Sequence, residues 1–172
     1  MASNHENLLA ELRLTLRPGI RADADALRSL VGGILQSYGL PAPGAALDDD
    51  LADVAGWYGS RQGMFEVLED SSGVLVGCSG AYGRSQTLCE LRRLYLAYKV
   101  RHRGLGRVLL ERVLAWARTH GFETIELFTA PVLKEAVQLY ERYGFARQLQ
   151  ASAGKADACD LHFSLRLRDA GS

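Results

Sequence analysis

Charge of one sign is missing from this chain: across 172 residues, twenty lysines and arginines balance twenty aspartates and glutamates, so the formal net charge is zero. A neutral protein has no bulk field to attract nucleic acid, polyanions or an anionic membrane surface, so its partners must be recognised locally. Long apolar runs are missing too. No stretch approaches the roughly 20 residues of a helical membrane span, and Met1 to Glu11 lacks the apolar run of a secretory signal, so the expected location is cytoplasmic. Cysteine is scarce and unpatterned. Cys78, Cys89 and Cys159 show no CxxC or Cys/His spacing, and an odd count argues against a closed disulfide framework. Buried free thiols and no metal are the resulting expectations.

Hydrophobic residues make up 48% of the chain, enough for one domain with a real core, expected over residues 12–168 between a flexible N-terminus (1–11) and a short tail (169–172). Leu12, Leu14 and Leu16 alternate with Arg13, Thr15 and Arg17, the period of a half-buried strand ended by Pro18. From Asp23, Ala26, Leu27, Leu30, Val31, Ile34 and Leu35 recur at helical spacing, although Gly32 and Gly33 weaken the helix. Leu40 to Leu47 is a breaker-rich loop suited to bordering a pocket, and Asp48 to Asp50 reads as the cap of a short helix carrying Leu51, Val54 and Trp57.

Met64 to Leu68 and Val74 to Ala81 flank the turn Glu69 to Gly73 as a hairpin, and Thr87 to Tyr98 continues it. Leu105, Val108, Leu109, Val113, Trp116 and Ala117 mark a helix stopped at Gly121. Thr124 to Phe128 is a short buried strand, and Val132, Ala136, Val137, Leu139 and Tyr140 stripe a helix ending at Gly144. Strands from about Phe145 and from Cys159 to Leu167 close the order, separated by residues 153–157. The alternation predicts one mixed α/β domain.

The most informative segment is Tyr98-Lys99-Val100-Arg101-His102-Arg103-Gly104-Leu105-Gly106-Arg107, between a predicted strand and a predicted helix. A helix start offers unpaired N–H groups and a positive dipole end, and Gly104 and Gly106 let a phosphate approach the main chain. The run lacks both the GK[ST] ending of a triphosphate loop and the GxGxxG spacing of a dinucleotide fold. A tight turn with solvated arginines is the competing reading.

Arg101-His102-Arg103-Gly104-Leu105-Gly106 fits the [QR]xxGx[GA] signature of the GNAT acetyltransferase superfamily, and Ala136 to Phe145 resembles that family's AxxLYExxGF helix. Glu90-Leu91-Arg92-Arg93-Leu94-Tyr95-Leu96 resembles the ELxRLYV strand of a bacterial subgroup. The resemblance covers roughly Leu12 to Leu167 and implies a GNAT fold: a central mixed, mostly antiparallel, splayed sheet flanked by helices. It implies an acetyl-CoA-dependent N-acetyltransferase acting on a primary amine of a small molecule or peptide, with Arg101 to Arg107 (Arg101, His102, Arg103, Gly104, Leu105, Gly106 and Arg107) holding the pyrophosphate. Backbone N–H groups of Leu96, Ala97 and Tyr98 are the matching positions for polarising the thioester. Many relatives carry Asn where this chain has Leu133, which places that polar contact in doubt.

By the same resemblance, Tyr140 is the general acid for the departing thiolate, since a phenol with a pKa near 10 stays protonated at neutral pH. A core tyrosine on an amphipathic helix is its rival reading. Glu90 is the candidate general base, against a structural ion pair with Arg92, on the same strand face, or a carboxylate anchoring the substrate. Glu66 and Tyr95 are weaker pocket candidates. An acyl-CoA-binding regulatory module without catalysis is the alternative function. Related folds commonly dimerise, but no diagnostic interface is visible, and the acceptor amine is not specified by any residue.

Overall fold

In the computed structural model, which describes residues 3–41, 49–149 and 161–167, the period-two segments form one seven-stranded sheet in the order β1-β2-β3-β4-β5-β7-β6. The strands are β1 (Leu14–Pro18), β2 (Met64–Asp70), β3 (Leu75–Gly83), β4 (Leu88–Leu96), β5 (Thr124–Thr129), β6 (Ala146–Gln148) and β7 (Leu161–Arg166). The helices are α1 (Asn4–Glu11), α2 (Ala24–Ser37), α3 (Asp49–Ala52), α4 (Val54–Gly59), α5 (Leu105–Thr119) and α6 (Lys134–Arg142). Among the described residues the β4–β5 pair alone is parallel.

Local chemistry fixes the joints. In the β2–β3 turn, Asp70 Oδ1 accepts from Ser72 N and Val74 N at 3.0 and 3.1 Å, and Gly73 takes φ 82°, a conformation open to glycine. The β6–β7 connection expected at residues 153–157, Cys159 and most of the Leu40 to Leu47 loop lie outside the described residues.

The decisive feature is a fork. β4 pairs with β5 only from Leu88↔Thr124 to Leu91↔Leu127, then continues on β3 alone. Its register on β3 jumps from Gly80↔Arg92 to Cys78↔Tyr95, so Arg93 and Leu94 stand opposite Ser79 as a bulge with Arg93 at φ 61°. A bulge bends and twists its strand, which turns the outer half of β4 away from β5. Positive φ at a bulky residue costs about 1–3 kcal/mol and persists where the surroundings over-determine it. The surroundings here are Asp50, whose carboxylate takes the Arg93 Nε and Nη2 at 3.0 and 2.8 Å and the Tyr58 hydroxyl at 2.8 Å.

Each sheet face has its own core. Cys89, Leu91, Ile125, Leu127 and Phe163 pack with α5 residues Leu110, Val113, Leu114 and Ala117 and with Tyr140 of α6. On the opposite face Val67, Cys78 and Tyr82 pack with Leu27 and Val31 of α2 and with Val54 and Tyr58 of α4. Cys78 and Cys89 are free and buried, and burial pushes each thiol up to about 12.

Two expectations are corrected. Residues 4–11, expected to be flexible, form α1: Ser3 and Glu6 make a reciprocal capping box, and Leu8, Leu9 and Leu12 pack beside Leu14 and Leu105. Asp48, the first residue of the expected Asp48 to Asp50 cap, lies outside the described residues; Asp50 lies inside α3 as a fully buried carboxylate, ionised because the Arg93 and Arg92 charges and the Tyr58 hydroxyl outweigh the desolvation that opposes it. The side chain capping α4 is Asp53, through Gly56 N at 3.0 Å. Asp23 likewise spends its carboxylate on Arg17 and Ile20 N, at 2.9 Å, rather than on α2.

Candidate active site

Past Leu91 the fork leaves one edge of β4 without a strand partner among the described residues. Ala97 N donates to Val76 O of β3 at 2.8 Å, so of the positions Leu96 to Tyr98 the Ala97 amide is committed to the sheet. Strand alternation turns the Leu96 amide the other way, towards the open edge. Leu96 O lies there too, accepting from Arg101 Nε at 2.9 Å instead of from β3.

Beyond a 3-10 turn at Tyr98–Val100, the chain reaches α5 through His102 at φ 59° and Gly104 at φ 80°. Val108 N to Gly104 O, 3.2 Å, is the first backbone bond into the helix. Leu105, Gly106 and Arg107 therefore start it with N–H groups lacking intrahelical acceptors, at the positive end of a 15-residue dipole. A Cβ on Gly106 would lie 3.3 Å from Leu139 of α6 and 3.8 Å from Leu96, so glycine here also sets how closely the helix start approaches both walls of the fork.

The loop arginines behave differently from one another. Arg101 reaches back to Leu96 O and across to the Tyr38 hydroxyl at 2.6 Å, and Tyr38 donates on to Glu135 of α6 at 3.2 Å. Arg107 turns along α5 to Glu111 at 2.8 Å. His102 and Arg103 are exposed. Leu133 precedes α6 with no side-chain cap, so no polar side chain stands at that position.

Tyr140 is 5% exposed, packed against Phe145 and Phe163. Burial pushes its phenol well above the ordinary value, and electrostatic coupling to Tyr95 of β4 raises it further. Tyr140 belongs to the α5–α6 core and Tyr95 packs with the opposite one, so the two phenols sense each other across the fork. A phenol held neutral is a donor, and thiolate is the charge it suits.

Glu90 is also buried, in the paired half of β4, and its Oε2 accepts from the Tyr82 hydroxyl at 2.8 Å and Arg84 Nη1 at 2.6 Å. The ion pair is thus made with Arg84; Arg92 instead approaches Asp50 at 3.7 Å and the Trp57 ring at 5.5 Å. Glu66 is remote from the fork, bonded to Arg112 of α5.

The structure adds residues that sequence reasoning missed. Glu126 of β5 sits level with Glu90 in the parallel register, and its Oε2 lies 2.9 Å from His162 Nε2 of β7. The His162 ring stacks on Phe128 with centroids 4.5 Å apart and planes at 11°. Period-two alternation around the apolar pairs Ile125/Leu127 and Leu161/Phe163 offered a signal for which side these residues face, but not for which strands meet. The described residues contain no group of three or more His, Cys, Asp or Glu able to hold a metal ion.

Residues 33–145 match the acetyltransferase (GNAT) family. An uncharacterised N-acetyltransferase of Schizosaccharomyces pombe is 31% identical over 124 residues, 72% of this chain and 76% of the relative. Among solved structures, an acetyltransferase of the GNAT family from Staphylococcus aureus Mu50 superposes with a TM-score of 0.81 at 18% identity, covering 90% of this chain and 99% of its own. A phosphinothricin acetyltransferase from Sinorhizobium meliloti, in complex with acetyl-CoA, gives 0.68 at 19% identity, covering 90% and 89%.

Proposed function

Because the chain belongs to the acetyltransferase (GNAT) family, and is on that ground an acyltransferase, we propose that it moves an acetyl group from acetyl-CoA to a primary amine of a small molecule or peptide by direct attack. The observation that carries the reading is the convergence on one fork of the open β4 edge at Leu96, the free amides opening α5 and the buried phenol of Tyr140.

Amides of Leu105, Gly106 and Arg107 hold the pyrophosphate, where the dipole and the unpaired N–H groups act together. The Leu96 N–H polarises the thioester carbonyl, a fixed dipole aimed where negative charge develops. Tyr140 protonates the sulfur as the C–S bond breaks. Bound acetyl-CoA supplies the activated acyl group, and every other contribution comes from the protein. A regulatory module would have no use for a neutral phenol at this point of the fork, so nothing favours that alternative.

The test is release of CoA thiol from acetyl-CoA by the purified chain across spermidine, tyramine and the free amino acids. Amine-dependent release is expected with at least one. Tight CoA binding without release for any amine contradicts the proposal.

A further inference from the structure

Every amine acetylation needs a group to take a proton from the nitrogen, and Glu90 is poorly placed to do it: two donors, one of them cationic, already occupy its Oε2. The lone pairs that a base would use at that oxygen are already engaged. The same face of the sheet carries another candidate. Glu126 stands beside Glu90 across the last paired stretch of β4 and β5, and His162 stands opposite Phe128, the β5 residue one step beyond the end of that pairing. Since Ile125, Leu127, Leu161 and Phe163 all enter the α5–α6 core, Glu126, Phe128 and His162 face the other side, with Glu90 and Tyr82. His162 keeps 23% of its side chain exposed, while its Glu126 partner keeps 13%.

We infer that His162, oriented by Glu126, is the general base for the acceptor amine; the inference rests on the acetyltransferase reading and deepens it. With Nε2–H donated to Glu126, the neutral imidazole has its lone pair on Nδ1, which has no hydrogen-bond partner among the described residues. Stacking on Phe128 fixes the ring plane. In the reaction, Nδ1 takes one proton from the ammonium, and the freed lone pair forms the N–C bond. The C–S bond breaks with its electrons on sulfur, which takes the Tyr140 proton. The nitrogen sheds a second proton, which restores Tyr140, and His162 returns its own to solvent. Glu126 is a positioning residue.

The groups facing His162 are Glu126 from β5, the Glu90–Arg84 pair beyond it and, from β6, the uncharged Gln148 in register. A general base contributes about 10²–10⁴-fold. His162→Gln is therefore expected to lower kcat/KM at pH 7 by about 10²-fold and to abolish the acidic limb of the pH profile, with CoA affinity unchanged. Glu126→Gln is expected to lower kcat with CoA affinity unchanged, because the partner that orients the imidazole is altered. A purely structural role predicts CoA affinity and kcat falling together.

The experiment uses the full chain in two arms. In the first, diethyl pyrocarbonate labels the four histidines with and without a non-transferable thioether analogue of acetyl-CoA. His102 in the pyrophosphate loop and His162 lose reactivity, while His5 and His120, bonded to Glu111 and to the Trp116 carbonyl, keep it. Protection of His102 without His162 overturns the inference and spares the family reading; protection of neither overturns both. The second arm measures the pH profiles with acetyl-CoA and whichever of spermidine, tyramine or the amino acids turns over fastest. A His162→Gln enzyme that retains the wild-type limb overturns the inference, as does a failure of every amine to turn over.

Discussion

The α5–α6 side of the sheet offers a ligand mainly main chain, whereas the α2–α4 side presents side chains gathered from strands far apart in sequence. On the first, Gly104 and Gly106 expose amides at a helix start, and Leu96 offers a strand edge opened by the fork. On the second, Arg84, in the turn between β3 and β4, pairs with Glu90 of β4, Glu126 of β5 pairs with His162 of β7, and the buried Asp50–Arg93 pair holds the bulge. Backbone recognition tolerates variation in nearly every side chain except glycine, while side-chain recognition can be rewritten one residue at a time. A shared cofactor with differing acceptors is what such a division of labour suits.

The sharpest way to break this comparison is to remove the residue that opens the fork. Arg93→Ala takes from the buried Asp50 carboxylate its two-bond partner and leaves it Arg92 at 3.7 Å and the Tyr58 hydroxyl, a loss of about 3 kcal/mol. Melting should fall by about 10 °C, read by calorimetry. An unchanged melting temperature would mean that the bulge holds without its ion pair.

Tyr140→Phe comes next. It should lower kcat by about 10²-fold with CoA affinity unaltered, since only the proton donated in the transition state is lost. A parallel loss of CoA binding would assign Tyr140 to the core alone.

A smaller effect separates the loop from ordinary helix ends. Gly104 and Gly121 have nearly the same φ, 80° and 77°. Valine at either costs about 1–2 kcal/mol of backbone strain. Gly104→Val should weaken CoA about tenfold as the loop relieves that strain, and Gly121→Val should lower stability alone. Titration of both variants against CoA decides between a ligand cradle and a mere turn.

The smallest effect lies on the outer seam of the α5–α6 side, where Glu111 joins α1, α5 and the end of α6. Burial opposes its ionisation, but hydrogen bonds from Tyr143, Arg107 and His5 outweigh that penalty and lower its carboxyl to about 2 from an ordinary 4.5. A lowered carboxyl stabilises the fold above pH 4.5, and the contribution disappears as pH falls towards 2. It should amount to about 1 kcal/mol for a partly solvated group. Wild type should thus lose melting temperature from pH 5 to pH 2.5 faster than Glu111→Gln.

How legible each side was follows from the same contrast. The loop and the start of α5 could be read because glycine and helical period are local signals, and the hairpin turn at Asp70 to Gly73 likewise. The mixed, splayed sheet followed from the family resemblance, but nothing local marks Arg93 as the bulged residue; its φ of 61° is imposed by Asp50, 43 positions away. Asp50 misled because an aspartate ahead of an apolar turn looks like a cap. α1 was missed although the S-x-x-E spacing of Ser3 and Glu6 was there to be read. Glu126 and His162 are 36 residues apart and meet only through β5–β7 pairing, which no periodicity specifies.

Calorimetric titration with 4′-phosphopantetheine and with pantetheine, which differ only in the phosphate, tests most directly whether the amides of Leu105, Gly106 and Arg107 grip that group. A hydrogen bond to a charged group is worth about 1.5–3 kcal/mol, so 4′-phosphopantetheine should bind at least about tenfold more tightly. Equal affinity for the two would contradict the account.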